Sequence, residues 1–137
     1  MCTVLLVTPH FPPTNAADMH RVRTSLPHFE EFGWRPVLLA VDPAHVEQGV
    51  DRQLLESIPP TVPTHHVRAL PVQWTRKFGV GDLGLRALPF LYRGGNALIE
   101  KYPIDLIYFS TTVFTSMTLG RLWKRRYGIP YVLDMQD

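Results

Sequence analysis

The sequence holds a single cysteine, Cys2, so no internal disulfide can form and a reducing compartment fits. Lysine is scarce: only Lys77, Lys101 and Lys124 stand among 14 basic residues, and the others are arginine, the better bidentate partner of phosphate and carboxylate. Charge of one sign is lacking too. The formal net charge is only +2, and no basic stripe marks a nucleic-acid partner. No apolar run approaches the roughly 20 residues that crossing a bilayer requires. Val4 to Val7 has no basic leader and is stopped by Pro9, which predicts a cytoplasmic chain without signal peptide or anchor. A glycine-rich phosphate loop is also missing. Gly79, Gly81 and Gly84 spell G-x-G-x-x-G, but Trp74 to Phe78 before them make no buried strand, so the spelling is accidental and no dinucleotide cofactor is expected.

At 137 residues the chain matches one domain. Thr3 to Thr8 is a continuous Val/Leu-rich run, the pattern of a parallel strand buried on both faces. Similar runs at Val37 to Val41, Thr64 to Ala69, Asp105 to Ser110 and Tyr131 to Met135 predict four more strands. After the first strand, the turn Pro9 to Thr14 leads to Asn15 as N-cap, with Asp18 at the capping-box position. Met19, Val22, Leu26 and Phe29 then follow at helical spacing up to a stop at Gly33, with a kink at Pro27. Asp82 to Tyr102 reads as a helix broken in two by Pro89 and the Gly94-Gly95 pair. The last helix places Val113, Met117, Gly120, Trp123 and Tyr127 on one face and ends at Gly128. Residues 43 to 63 read as mostly irregular.

Strands alternating with helices predict an α/β, Rossmann-like, doubly wound parallel sheet of at least five strands in the order 3-2-1-4-5. The chain reverses between the first and fourth strands, so a ligand crevice is expected at their carboxyl ends. The loops Pro9 to Ala16 and Ser110 to Val113 line it. Each opens a helix whose first amides favour an anion, and His10, Asn15, Ser110, Thr111 and Thr112 supply polar contacts. His20, Arg21 and Arg23 are cations near a helix start, where they oppose its dipole, and a bound anion would compensate them; a solvated helix face is the plainer reading. The adjoining His65 and His66 point to opposite faces of a strand, so no metal is expected there. From Trp74 to Arg93 aromatic and basic residues mix as in a segment at a membrane surface, although core packing explains the same pattern.

Four stretches, taken in order, resemble the N-terminal domain of GT-B glycosyltransferases of the family-four-like group. They are Val4 to Pro13 at the first strand, Phe32 to Val37 at the second, Ile104 to Tyr108 at the fourth, and Gly128 to Asp137 at the fifth. The resemblance covers essentially the whole chain. It implies an acceptor-binding half whose partner, a C-terminal Rossmann domain absent from this chain, binds a nucleotide-diphosphate sugar. The chain would then be cut off where its fifth strand ends, and would be inactive alone. The implied reaction is retaining transfer without a metal, to a glycan, lipid-linked or small-molecule acceptor such as those of cell-envelope polysaccharide synthesis. Asp137 matches the family's acid after the fifth strand and is the candidate catalytic residue. Two departures stand out: Asn15-Ala16-Ala17 replaces a glycine pair, and Tyr108 to Thr112 contains no histidine. A stand-alone flavodoxin-like binding or regulatory domain would show the same alternation of elements, and an oxidoreductase is disfavoured by the missing fingerprint.

Overall fold

The computed structural model describes residues 1–46, 48–79 and 81–136. Five strands, β1 (Cys2–Val7), β2 (Trp34–Val41), β3 (Thr64–Val67), β4 (Ile104–Thr111) and β5 (Tyr131–Met135), form one sheet in the order β3-β2-β1-β4-β5. Every pairing is parallel. This is the α/β doubly wound order expected from the alternation of apolar runs and helices.

Because side chains alternate across a strand, each strand divides between two cores. Leu5, Val7, Val37, Leu39, Ile107 and Phe109 face α3 (Leu83–Lys101) and α4 (Thr118–Tyr127), where Leu91 and Trp123 are fully buried. Val4, Leu6, Leu38 and Ala40 face Val22 and Leu26, which lie in and just after α1 (His20–Ser25). A further short helix, α2, spans Val72–Thr75. Pro36 sits inside β2 without damage. The amide of Leu38 donates to Pro63 on the β3 side, so position 36, two residues earlier, would direct its N–H to the same side. There β2 has no neighbour yet, since pairing with β3 begins at Leu38, and the missing donor costs no ladder bond.

Two helical expectations need correction. Residues 83–101 are one unbroken helix. Pro89 is exposed, as is Leu85 four residues earlier, so the carbonyl freed by the proline lies on the solvent side. Gly94 and Gly95 are not breakers but contact points. A Cβ on Gly95 would lie 2.1 Å from Cζ2 of Trp123, and one on Gly94 would lie 2.7 Å from Cγ1 of Val67. Their absence lets α3 approach both α4 and the sheet. Gly95→Ala is therefore expected to destabilise the fold by about 2 kcal/mol through overpacking, overriding the roughly 1 kcal/mol that alanine gains in a helix interior. Urea unfolding checks this, and a stabilised variant would show that the two helices do not pack so closely.

The second correction concerns Asn15. The first helical turn is a 3-10 turn at Ala17–Met19 with Ala16 in the cap position and no side-chain cap. The predicted face survives, with Met19, Val22 and Leu26 buried, but it is assembled from 3-10 turns around the short α1, and Pro27 falls in one of them. Both predicted stops hold. Gly33 and Gly128 adopt φ of 83° and 71°, and the Gly128 amide donates to the carbonyl of Lys124 at 2.9 Å, closing α4 with a left-handed residue as glycine permits.

Candidate functional site

At the carboxyl ends of β1 and β4 the structure gathers a buried polar cluster around Asp18. Oδ1 of Asp18 lies 2.9 Å from His10 Nδ1, and Oδ2 accepts from the Thr111 hydroxyl, the Thr112 amide and the Thr112 hydroxyl, each at 3.0 Å. His10, Asp18 and Thr111 are all buried, and Thr8 donates to the His10 carbonyl at 2.8 Å. Burial alone would raise the pKa of Asp18. The hydrogen bonds from His10, Thr112 and Thr111 and the charge of His10 override it, holding the carboxyl at about 2 and hence ionised. A carboxylate only accepts, so His10 Nδ1 carries the proton toward Asp18 and Nε2 is the nitrogen available to a ligand.

His10 also lines a pocket of about 270 Å³ together with Gln48, Asp82, Leu83, Arg86 and Thr112. Asp82 caps α3, accepting from the Leu85 amide at 3.1 Å and from the Thr115 hydroxyl at 2.6 Å. A second acid completes the strand ends. Asp134 accepts from Ser110 at 2.8 Å, from Tyr108 at 3.0 Å and from Arg21. Burial pushes its carboxyl up, but these three donors win and lower it. The Tyr108 hydroxyl is pushed up, by burial first and by Asp134 second. Gln136 ties Ser110 to the backbone of Asp18, donating to Ser110 Oγ at 2.7 Å and to the Asp18 main-chain carbonyl at 3.0 Å.

Of the residues selected from sequence, His10, Ser110, Thr111, Thr112 and Arg21 come together here. Asn15 does not join them: it is exposed, and its amide donates to Gly49. His20 accepts from Arg23, whose Nη1 reaches Ser57, so this pair is tied to the 52–57 turn. The charge of Arg21 is met by Asp134, not left for a ligand. The expectation of free amides after β4 also changes, because Asp18 occupies that of Thr112 and the Thr111 hydroxyl that of Val113. Asp137, the candidate catalytic acid, lies outside the described residues. His65 faces Gly94 of α3, whereas His66 lines a groove with Phe11 and Pro12, the opposite orientations their adjacency requires.

Sequence reasoning missed Asp134, Gln136, Asp82 and Arg86, and gave Asp18 only a capping role. Asp134 could have been found, since register pairs it with Ser110 and strand periodicity puts Tyr108 on the same face. The G-x-G-x-x-G spelling behaves as local turn chemistry: Gly79 ends a 3-10 turn and Gly84 lies in the first turn of α3. Between Trp74 and Arg93, Trp74, Phe78 and Leu85 are exposed while Arg86, Ala87 and Leu91 are buried. Among the described residues no helix is long and apolar enough to cross a membrane.

No family model matches the chain, and no curated protein matches it. Among solved structures it is similar to UGT2 of Phytolacca americana, determined in complex with UDP-2-fluoro-glucose and pterostilbene, with a TM-score of 0.64 and 15% identity. The match covers 97% of this chain and 29% of that protein, so the chain spans less than a third of its neighbour's length, and the likeness shows the shared fold.

Proposed function

We propose that this chain is the acceptor-side domain of a sugar-transferring enzyme, with His10 as the base that removes the acceptor's proton. The observation that carries this is the His10–Asp18 pair: one ring nitrogen is fixed on a buried carboxylate while the ring lines a pocket at the crevice. In the reaction proposed, an acceptor hydroxyl attacks the anomeric carbon of a nucleotide-diphosphate sugar. The bond from that carbon to the diphosphate oxygen breaks, the proton passes to His10 Nε2, and Asp18 stays ionised and stabilises the imidazolium. The donor site and its second domain lie outside these residues in this reading, which accords with the small share of the neighbour's length covered.

The family-four-like resemblance implies retention of anomeric configuration, with the departing diphosphate taking the proton. A positioned base favours the second reading, direct displacement with inversion, because such a displacement needs a base on the acceptor side. The product of the complete reading frame containing these residues tests both. Incubated with nucleotide-diphosphate sugars and hydroxyl acceptors, it is expected to release nucleoside diphosphate only when an acceptor is present, and the anomeric proton coupling of the first product distinguishes inversion from retention. Release from no donor, or turnover by the 137-residue chain alone, would sink the acceptor-domain reading.

A further inference from the structure

Arg86 is a buried cation near the crevice whose burial the hydrogen bonding among the described residues leaves unexplained. It is 3% exposed, on the inner side of α3. Its Nη1 donates to the carbonyls of Leu70 at 3.1 Å and His45 at 3.4 Å, while Nε is buried without a partner among the described residues. No carboxylate among the described residues pairs with it. Asp82, four positions earlier, is engaged with Leu85 and Thr115. A guanidinium buried without a counter-charge is costly, and a buried donor left unpaired calls for a reason. Two carbonyls solvate part of the fork but neutralise none of the charge. An apolar side chain of the same length would fill this position without that cost.

Arg86 lies where two cavities meet. One is the His10 pocket; the other, of about 290 Å³, is walled by Arg86, His45, Gln73, Val46, Pro71 and Val72. The second lining offers donors and contains no acid among the described residues. We propose that this second cavity is a subsite for a small anionic group, a phosphate or carboxylate, with Arg86 supplying the charge and His45 and Gln73 at its margin. Through the proposed function, on which this substrate assignment rests, the acceptor would carry such a group beside its reacting hydroxyl. The binding itself needs neither donor nor turnover.

The test uses the 137-residue chain, with inorganic phosphate and a sugar monophosphate as probes against sodium chloride of equal ionic strength. Phosphate in large excess over its dissociation constant is expected to raise Tm by several degrees beyond chloride, with amide shifts centred on residues 44–46, 72–73 and 86. A stronger response to the sugar monophosphate would identify an acceptor's phosphate as the source, and an equal one the free ion. Arg86→Met should abolish the phosphate-specific shift and, in phosphate-free buffer, unfold no earlier than the parent. If that variant fails to fold, Gln73→Ala at the cavity margin should weaken the response severalfold while leaving the fold intact. Equal responses of the parent chain to phosphate and chloride would overturn the subsite, as would an unchanged phosphate response in Arg86→Met. Since no donor enters the assay, its failure leaves sugar transfer standing, and failed transfer leaves a positive anion result standing.

Discussion

Replacing His10 by alanine in the complete protein is expected to lower kcat by about a thousandfold, within the range that a positioned general base contributes. The acceptor's KM should change little, because the lost interaction belongs to the proton in flight and not to ground-state binding. A merely structural His10 would give another pattern, in which stability falls and kcat per folded molecule stays constant. Activity within about threefold of wild type, at equal folded fraction, would remove His10 from the chemistry.

Asp18→Ala should be the most destabilising single change at the site. It strips the acceptor from four donors at once: His10 Nδ1, both threonine hydroxyls and the Thr112 amide. Leaving buried partners of a charge uncompensated costs about 3–5 kcal/mol, read as a lower urea midpoint with little change in slope. Acid dependence supplies an independent check. The folded carboxyl sits at about 2, below its ordinary 3.8, so its contribution is fully present above about pH 4 and is lost as pH falls toward 2. At about 1.4 kcal/mol per tenfold change in proton affinity this amounts to about 2 kcal/mol. Asp18→Asn should flatten that part of the acid-unfolding curve. If Asp18→Ala unfolds within about 1 kcal/mol of the parent, the cluster does not hold the strand ends together.

Much of the frame was legible because parallel strands buried on both faces announce themselves as apolar runs, and because Gly33 and Gly128 end helices where no other residue would do so cheaply. The interior of α3 was not legible. Proline and paired glycines signal a break only if nothing packs there, and the sequence gives no sign that Trp123 and Val67 press on those glycines. The site was half legible for a related reason. His10, Ser110, Thr111 and Thr112 follow from where strands end, which topology alone dictates. Asp18 acquires most of its contacts from Thr111 and Thr112, more than ninety positions away, and Arg86 is set apart by having no paired carboxylate among the described residues. Local patterns carry caps and turns; they do not carry which charge meets which.

The central place of β1 bears on how the molecule comes into being. Val4 lies beside Leu106, so during synthesis β1 stays open along one edge until roughly a hundred further residues have followed it. Closing so long a loop is slow, and the exposed edge is a site for mispairing in the interval. The histidine that follows β1 thus waits for threonines made long after it, and the acid–base pair reaches its full set of contacts only when the sheet closes.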